Sequence, residues 1–215
     1  MNGTMRRIAL RCLLCIPYAT VVFEYLIREP SGSVFLGCFR KPADTVGWTL
    51  AANRTPLAFL VFGALIILEW PCTHLQPDNA MVCIRRRGVS GRLLRYGMCL
   101  GAYCLTFTGF PLLLTLLVVG GRAVMGSLGL TAACAAWQLF LAIAIRDLGT
   151  LLGNRAIGYL MALAFCLGME SAKPVESWLM AEGNGLVPHW ILAYAVASAG
   201  LAVAFVPACK RLEII

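Results

Sequence analysis

Charge is scarce in this chain: 13% of its residues are Asp, Glu, Lys or Arg, where a soluble domain carries about 25%. Lysine is nearly missing, being confined to Lys41, Lys173 and Lys210, and none of these follows a glycine. That excludes a Walker A loop, whose lysine follows a glycine-rich turn and grips nucleotide phosphates. Histidine occurs only at His74 and His189, which rules out a His-Glu-x-x-His zinc peptidase. The ten carboxylates form no intramembrane chain of the kind a proton-coupled carrier uses. Nor is there the paired, broken-helix symmetry of inverted-repeat transporters. No catalytic residue is assigned, and no cofactor or metal bound directly by this chain is expected.

Apolar residues are abundant instead, at 60% of the chain with a mean hydropathy of +0.81. They gather in runs close to the roughly 20 residues that cross a hydrocarbon core. Six spans are expected, over 8–28, 55–70, 93–119, 123–145, 154–172 and 188–209. All must be helical, because lipid offers the backbone no hydrogen-bond partner. The expected fold is an all-α integral membrane protein with six transmembrane helices in one domain over 1–215. The second span is short; Thr55-Pro56 starts it and Pro71 stops it. Pro111 is expected to kink the third. The first run lacks a small-residue cleavage site, since Pro17-Tyr18-Ala19-Thr20 matches one poorly, and reads as an uncleaved anchor.

An even number of spans puts both termini on one side. Twelve of the eighteen basic residues then share that side, including Arg6, Arg7, Arg11, Arg85, Arg86 and Arg87. Lys and Arg are enriched in short cytoplasmic loops, so both termini are expected in the cytoplasm. Of the ten cysteines only Cys38 falls in an outer loop, and no disulfide framework follows. Cys12-x-x-Cys15 lies in an apolar helix and reads as small packing residues.

The inner loop holds the densest charge, with five arginines between Ile84 and Gly97. Pro77-Asp78 opens a short helix and Gly88 closes it. Asp78, Asn79, Met81, Val82 and Ile84 form its body, and Arg85, Arg86 and Arg87 its basic end, where the helix dipole favours positive charge. Ser90 then caps the third span. The loop is too short to read as a nucleic-acid site; it reads as a topology signal that also attracts anionic lipid, or as a docking helix for a soluble partner. Inside the spans, Glu24 pairs with Arg28 four residues on. Glu69 lies at the inner end of the second span, and Gln138 is the central polar side chain of the fourth. Gln138 reads as an interhelical hydrogen bond or a substrate contact, and Glu24 and Gln138 are the candidate polar residues of a pathway. His74 and Cys83 share the inner loop and provide a second reading, a small intramembrane cysteine peptidase; a non-catalytic membrane scaffold is a third.

Arg86-Arg87-Gly88-Val89-Ser90-Gly91-Arg92 resembles the Arg-x-Gly-Ser-Arg stretch that follows the coupling helix in membrane-spanning subunits of ABC-2 type exporters, with a valine and a glycine interrupting the pattern. The tight turn at Gly120-Gly121-Arg122 and the Pro188-His189-Trp190 segment before the last span are similar to that architecture too. The resemblance implies a permease subunit of the bacterial plasma membrane, working with a second permease subunit and separate cytoplasmic ABC ATPases that hold ATP and Mg. Asp78 to Arg87 would then transmit motion from the ATPases. The implied cargo is a bacteriocin- or lantibiotic-like peptide or a hydrophobic compound.

Overall fold

The computed structural model describes residues 3–28, 54–67, 71–75, 89–119, 125–171, 174, 178–179, 182–183 and 187–211. Six main helices make up this part of the chain: α1 (Gly3–Arg28), α2 (Arg54–Ile66), α3 (Val89–Val119), α4 (Met125–Leu151), α5 (Arg155–Ser171) and α6 (His189–Arg211). A 3-10 turn at Pro71–His74 follows α2. A minimal hairpin of β1 (Glu182–Gly183) and β2 (Val187–Pro188) precedes α6, in antiparallel register Glu182 to Pro188 and Gly183 to Val187. Among the described residues, three stretches are long and apolar enough to cross a membrane: Val89–Leu114, Gly129–Leu151 and His189–Lys210. Thr55–Ile66 and Arg155–Met169 are apolar but shorter.

Helix α4 is the central post. Of its apolar stretch 61% is buried, against 22% for α3 and 17% for α6. It packs on α2, α3, α5, α6 and the 3-10 turn. The outer helices turn large apolar side chains outward, such as Phe23, Leu105, Leu117, Leu160 and Val203. A soluble protein rarely exposes so much, and a bilayer would cover it.

Between helices in lipid there is little hydrophobic driving force, so close packing and hydrogen bonds must hold them. The α4–α5 hairpin shows how. Gly149 and Gly158 face each other so closely that a Cβ on Gly149 would stand 2.3 Å from the Gly158 Cα. The reversal between them is a Schellman motif. Gly153 N–H donates to Thr150 O at 3.1 Å and Asn154 N–H to Gly149 O at 3.3 Å. Gly153 takes φ of +93°, which a side chain resists. Asn154 then caps α5, its Oδ1 accepting from Ile157 N–H at 3.1 Å. Asn154→Ala is expected to cost about 1 kcal/mol, readable as a small drop in the melting temperature of the purified protein.

Several boundaries differ from the sequence expectation. The fourth span does not stop at 145: α4 runs on to Leu151, so Arg146 and Asp147 are helical and the turn shrinks to 152–154. The charge failed to end the helix because internal partners satisfy it. Helix α3 begins at Val89, so Ser90 lies inside its first turn and does not cap it. It continues as helix through Pro111. Helix α2 starts where Thr55-Pro56 indicated, but it ends at Ile66 and not near Trp70. Cys12 and Cys15 are exposed on α1 and do not pack inward. The short helix expected at Asp78–Arg87, the Arg28 side chain, Glu69 and the turn at Gly120-Gly121-Arg122 lie outside the described residues.

Candidate functional site

Where α2 stops, its last carbonyls lose their helical partners, and a buried helix end without substitutes is costly. Three other helices supply the substitutes. Tyr103 of α3 donates its hydroxyl to Gly63 O at 2.7 Å. Arg146 of α4 donates Nη1 to Ala64 O. Arg11 of α1 donates Nη2 to Ile67 O at 3.4 Å. Two guanidinium groups thus meet the negative end of the α2 dipole, where positive charge is favoured.

Arg146 also builds a network with its neighbour. Nε and Nη2 both reach Asp147 Oδ1, at 2.8 and 2.6 Å. The other carboxylate oxygen, Oδ2, accepts the Tyr96 hydroxyl at 3.1 Å. The Tyr159 ring of α5 lies beneath the guanidinium, 5.5 Å from its centroid to Cζ, a cation–π distance. Thr150 returns a hydrogen bond to Arg146 O at 3.1 Å. Arg146 and Asp147 are both fully buried, at 0% exposure. Burying two charges costs several kcal/mol per ion unless hydrogen bonds satisfy the rest of each group, and here they do. The result is a continuous polar path from the α2 carbonyl end through Arg146 and Asp147 to Tyr96 on α3.

This network gathers one end of the bundle. The start of α3, the ends of α2 and α4 and the start of α5 meet there. The late part of α6 joins them through Phe205, whose ring lies 5.4 Å from Tyr96. Cys72 and Leu75 of the segment after α2 are buried in the same core as Tyr96. Arg95, Arg155 and Lys210 are exposed near these helix ends. Away from this end the packing is aromatic: Trp137, midway along α4, donates to Ser198 Oγ at 2.9 Å and packs edge-on against Trp190 at the start of α6, with centroids 6.1 Å apart. Trp178 stacks on His189 at 5.3 Å, and Trp178 O lies 3.1 Å from His189 Nδ1, which therefore carries the proton. Trp178 and Trp190, beside the start of α6, suit the lipid–water interface.

Of the residues selected from sequence, Gln138 is fully buried in α4 and Glu24 is half-buried on α1. Asp78, Asn79, Met81, Val82, Ile84, Arg85, Arg86 and Arg87 lie outside the described residues, as do Cys83 and the His74 side chain. Asp147 and Tyr96 were not singled out from sequence, and Arg146 falls one residue beyond the expected fourth span, 123–145. One signal was present: Asp147 lies in an apolar stretch that continues through Leu148, Leu151 and Leu152. Among the described residues no group of His, Cys, Asp and Glu is placed to hold a metal ion. No family model, curated protein or solved structure matches this chain.

Proposed function

We propose that the chain is the membrane-spanning subunit of an ABC-2 type exporter, crossing the plasma membrane six times with both termini in the cytoplasm. The observation that carries this reading is the attachment of the two helix ends that flank residues 76–88. The end of α2 is tied to α4 by Arg146 on Ala64 O, and the start of α3 is tied to α4 by Tyr96 on Asp147. Through the Gly149–Gly158 contact α4 carries α5 with it. A push on the connecting segment would thus reach four helices together, which is what a segment receiving force from a motor requires. The exposed Arg95, Arg155 and Lys210 support reading that end as the cytoplasmic one under the positive-inside rule.

On this reading the ATPase is another chain, which accounts for the missing Gly-Lys loop. ATP and Mg belong to that partner, a second permease subunit completes the pathway, and the cargo is a peptide or hydrophobic compound. Purification of the full chain from its native membrane should bring down a stoichiometric ATPase carrying Walker motifs. Purification without one would overturn the proposal and leave the scaffold or peptidase readings. Reversing the charge of Arg85, Arg86 and Arg87 should lower coupled ATP hydrolysis about tenfold or more, the effect of losing about 1.4 kcal/mol of docking energy. Membrane insertion should be unchanged. Full coupling in that variant would remove the docking role.

A further inference from the structure

The Cys12-x-x-Cys15 pair is used neither by the packing of the bundle nor by the proposed transport role. Both thiols are exposed on α1, whereas every other described cysteine is buried or half-buried. Leu13 and Ile16 in the same turn are 65% and 64% exposed, so this side of α1 meets lipid when the helix lies in the bilayer. Residues three apart on a helix are neighbours on one face, with Cα atoms about 5 Å apart. A disulfide accepts Cα separations of about 4.4–6.8 Å, so the backbone already holds the pair within reach of a bond. The Cβ atoms of a regular helix stand about 5–6 Å apart at this spacing and must approach to about 4 Å. The turn therefore has to tighten.

Pro17 gives that turn its freedom. It lies inside α1 and has no N–H, so the carbonyl four residues back, that of Leu13, loses its helical donor. Leu13 sits between the two cysteines, and the turn that must close is thus one whose hydrogen-bond ladder is already interrupted. From this placement we infer that Cys12 and Cys15 are a redox-active dithiol whose oxidant is a membrane quinone. The two thiols give up two electrons and two protons: both S–H bonds break, an S–S bond forms between the sulfurs, and the quinone becomes the quinol. Disulfide exchange depends on access, and a charged, water-borne disulfide such as oxidised glutathione does not reach a sulfur that faces lipid. A lipid-soluble two-electron acceptor does. Arg11, directly before Cys12, donates to Ile67 O at 3.4 Å, so closing this turn bears on the tie between α1 and the end of α2. The redox pair rests on the proposed six-span reading only in needing α1 in the membrane; it needs neither ATPase nor cargo, so purification without an ATPase leaves it standing.

The full-length protein in nanodiscs would be reduced, freed of reductant and mixed anaerobically with decylubiquinone, whose fully substituted ring accepts electrons without adding a thiol. Quinol should form, read by its absorbance, and the peptide carrying residues 12–15 should lose the mass of two hydrogens and resist N-ethylmaleimide in mass spectrometry. Cys12→Ser, a mild change at an exposed position, should abolish quinol formation. Pro17→Ala, which restores the donor to Leu13 O, should slow it about threefold to tenfold, the effect of one backbone hydrogen bond. Oxidised glutathione in place of the quinone should leave both thiols free to alkylate. A pair that stays alkylatable after the quinone, or a disulfide that joins two chains, would overturn the inference. So would oxidation by glutathione as fast as by quinone, since the thiols would then face water.

Discussion

Asp147→Ala is expected to destabilise the protein by about 3–5 kcal/mol, the usual loss when one partner of a buried ion pair is removed. The variant leaves the Arg146 guanidinium buried with Ala64 O as its remaining hydrogen-bond acceptor among the described residues and the Tyr159 ring beside it. It also strands the Tyr96 hydroxyl, whose acceptor is Asp147 Oδ2. For a chain of this length the loss corresponds to a fall in melting temperature on the order of 10 °C, measurable by thermal unfolding in detergent. The paired variant Arg146→Met with Asp147→Leu should recover most of that loss, because apolar residues of similar volume need no compensation. If the single variant melted within a degree or two of the native protein, Arg146 would have to find other partners, and the network would not be the anchor of the basic end.

Gly158→Ala is the second severe change. The new Cβ would stand 2.4 Å from Arg146 O and 3.2 Å from Thr150 N. Both neighbours are backbone, so no rotamer change can relieve the overlap and α4 must part from α5. Overpacking of this kind costs about 1–3 kcal/mol, and a backbone-against-backbone contact belongs at the upper end. The separation would also draw Tyr159 off the Arg146 guanidinium, so the effect spreads to the polar network. Gly97→Ala and Gly101→Ala form the internal comparison. A Cβ at either position of α3 meets nothing within 4 Å, and alanine favours helix over glycine by about 1 kcal/mol. Those two variants should melt at or slightly above the native temperature. A Gly158→Ala protein as stable as they are would show that the helices are not locked at this crossing.

The legible part of the fold was its helices. Runs of apolar residues near membrane length gave the positions of α1 to α6 with ends off by up to six residues, because backbone in lipid must bond to itself whatever the side chains do. Thr55-Pro56 marked the start of α2 for an equally local reason. The reading went astray where a residue's local character was overruled by distant partners. Arg146 looked like the end of a span, since an arginine in an apolar run belongs at the water interface unless something pairs with it. What pairs with it is its own neighbour Asp147 and the carbonyl of Ala64, 82 residues away in sequence. Tyr96 lies 51 residues from Asp147. Neither separation leaves a spacing pattern, so the network was invisible until the chain was folded.

Composition and apolar run lengths alone therefore determined that this is a helical, apolar chain without a Walker A sequence. These properties follow from the cost of lipid-exposed backbone and of unpaired charge, which act on each segment separately. Only the tertiary structure decided which helix is central, where α2 breaks, and that Arg146 and Asp147 belong inside. Those outcomes depend on whether a distant donor, acceptor or glycine arrives within about 3 Å. Such a meeting depends on how the helices pack together, which local sequence does not show.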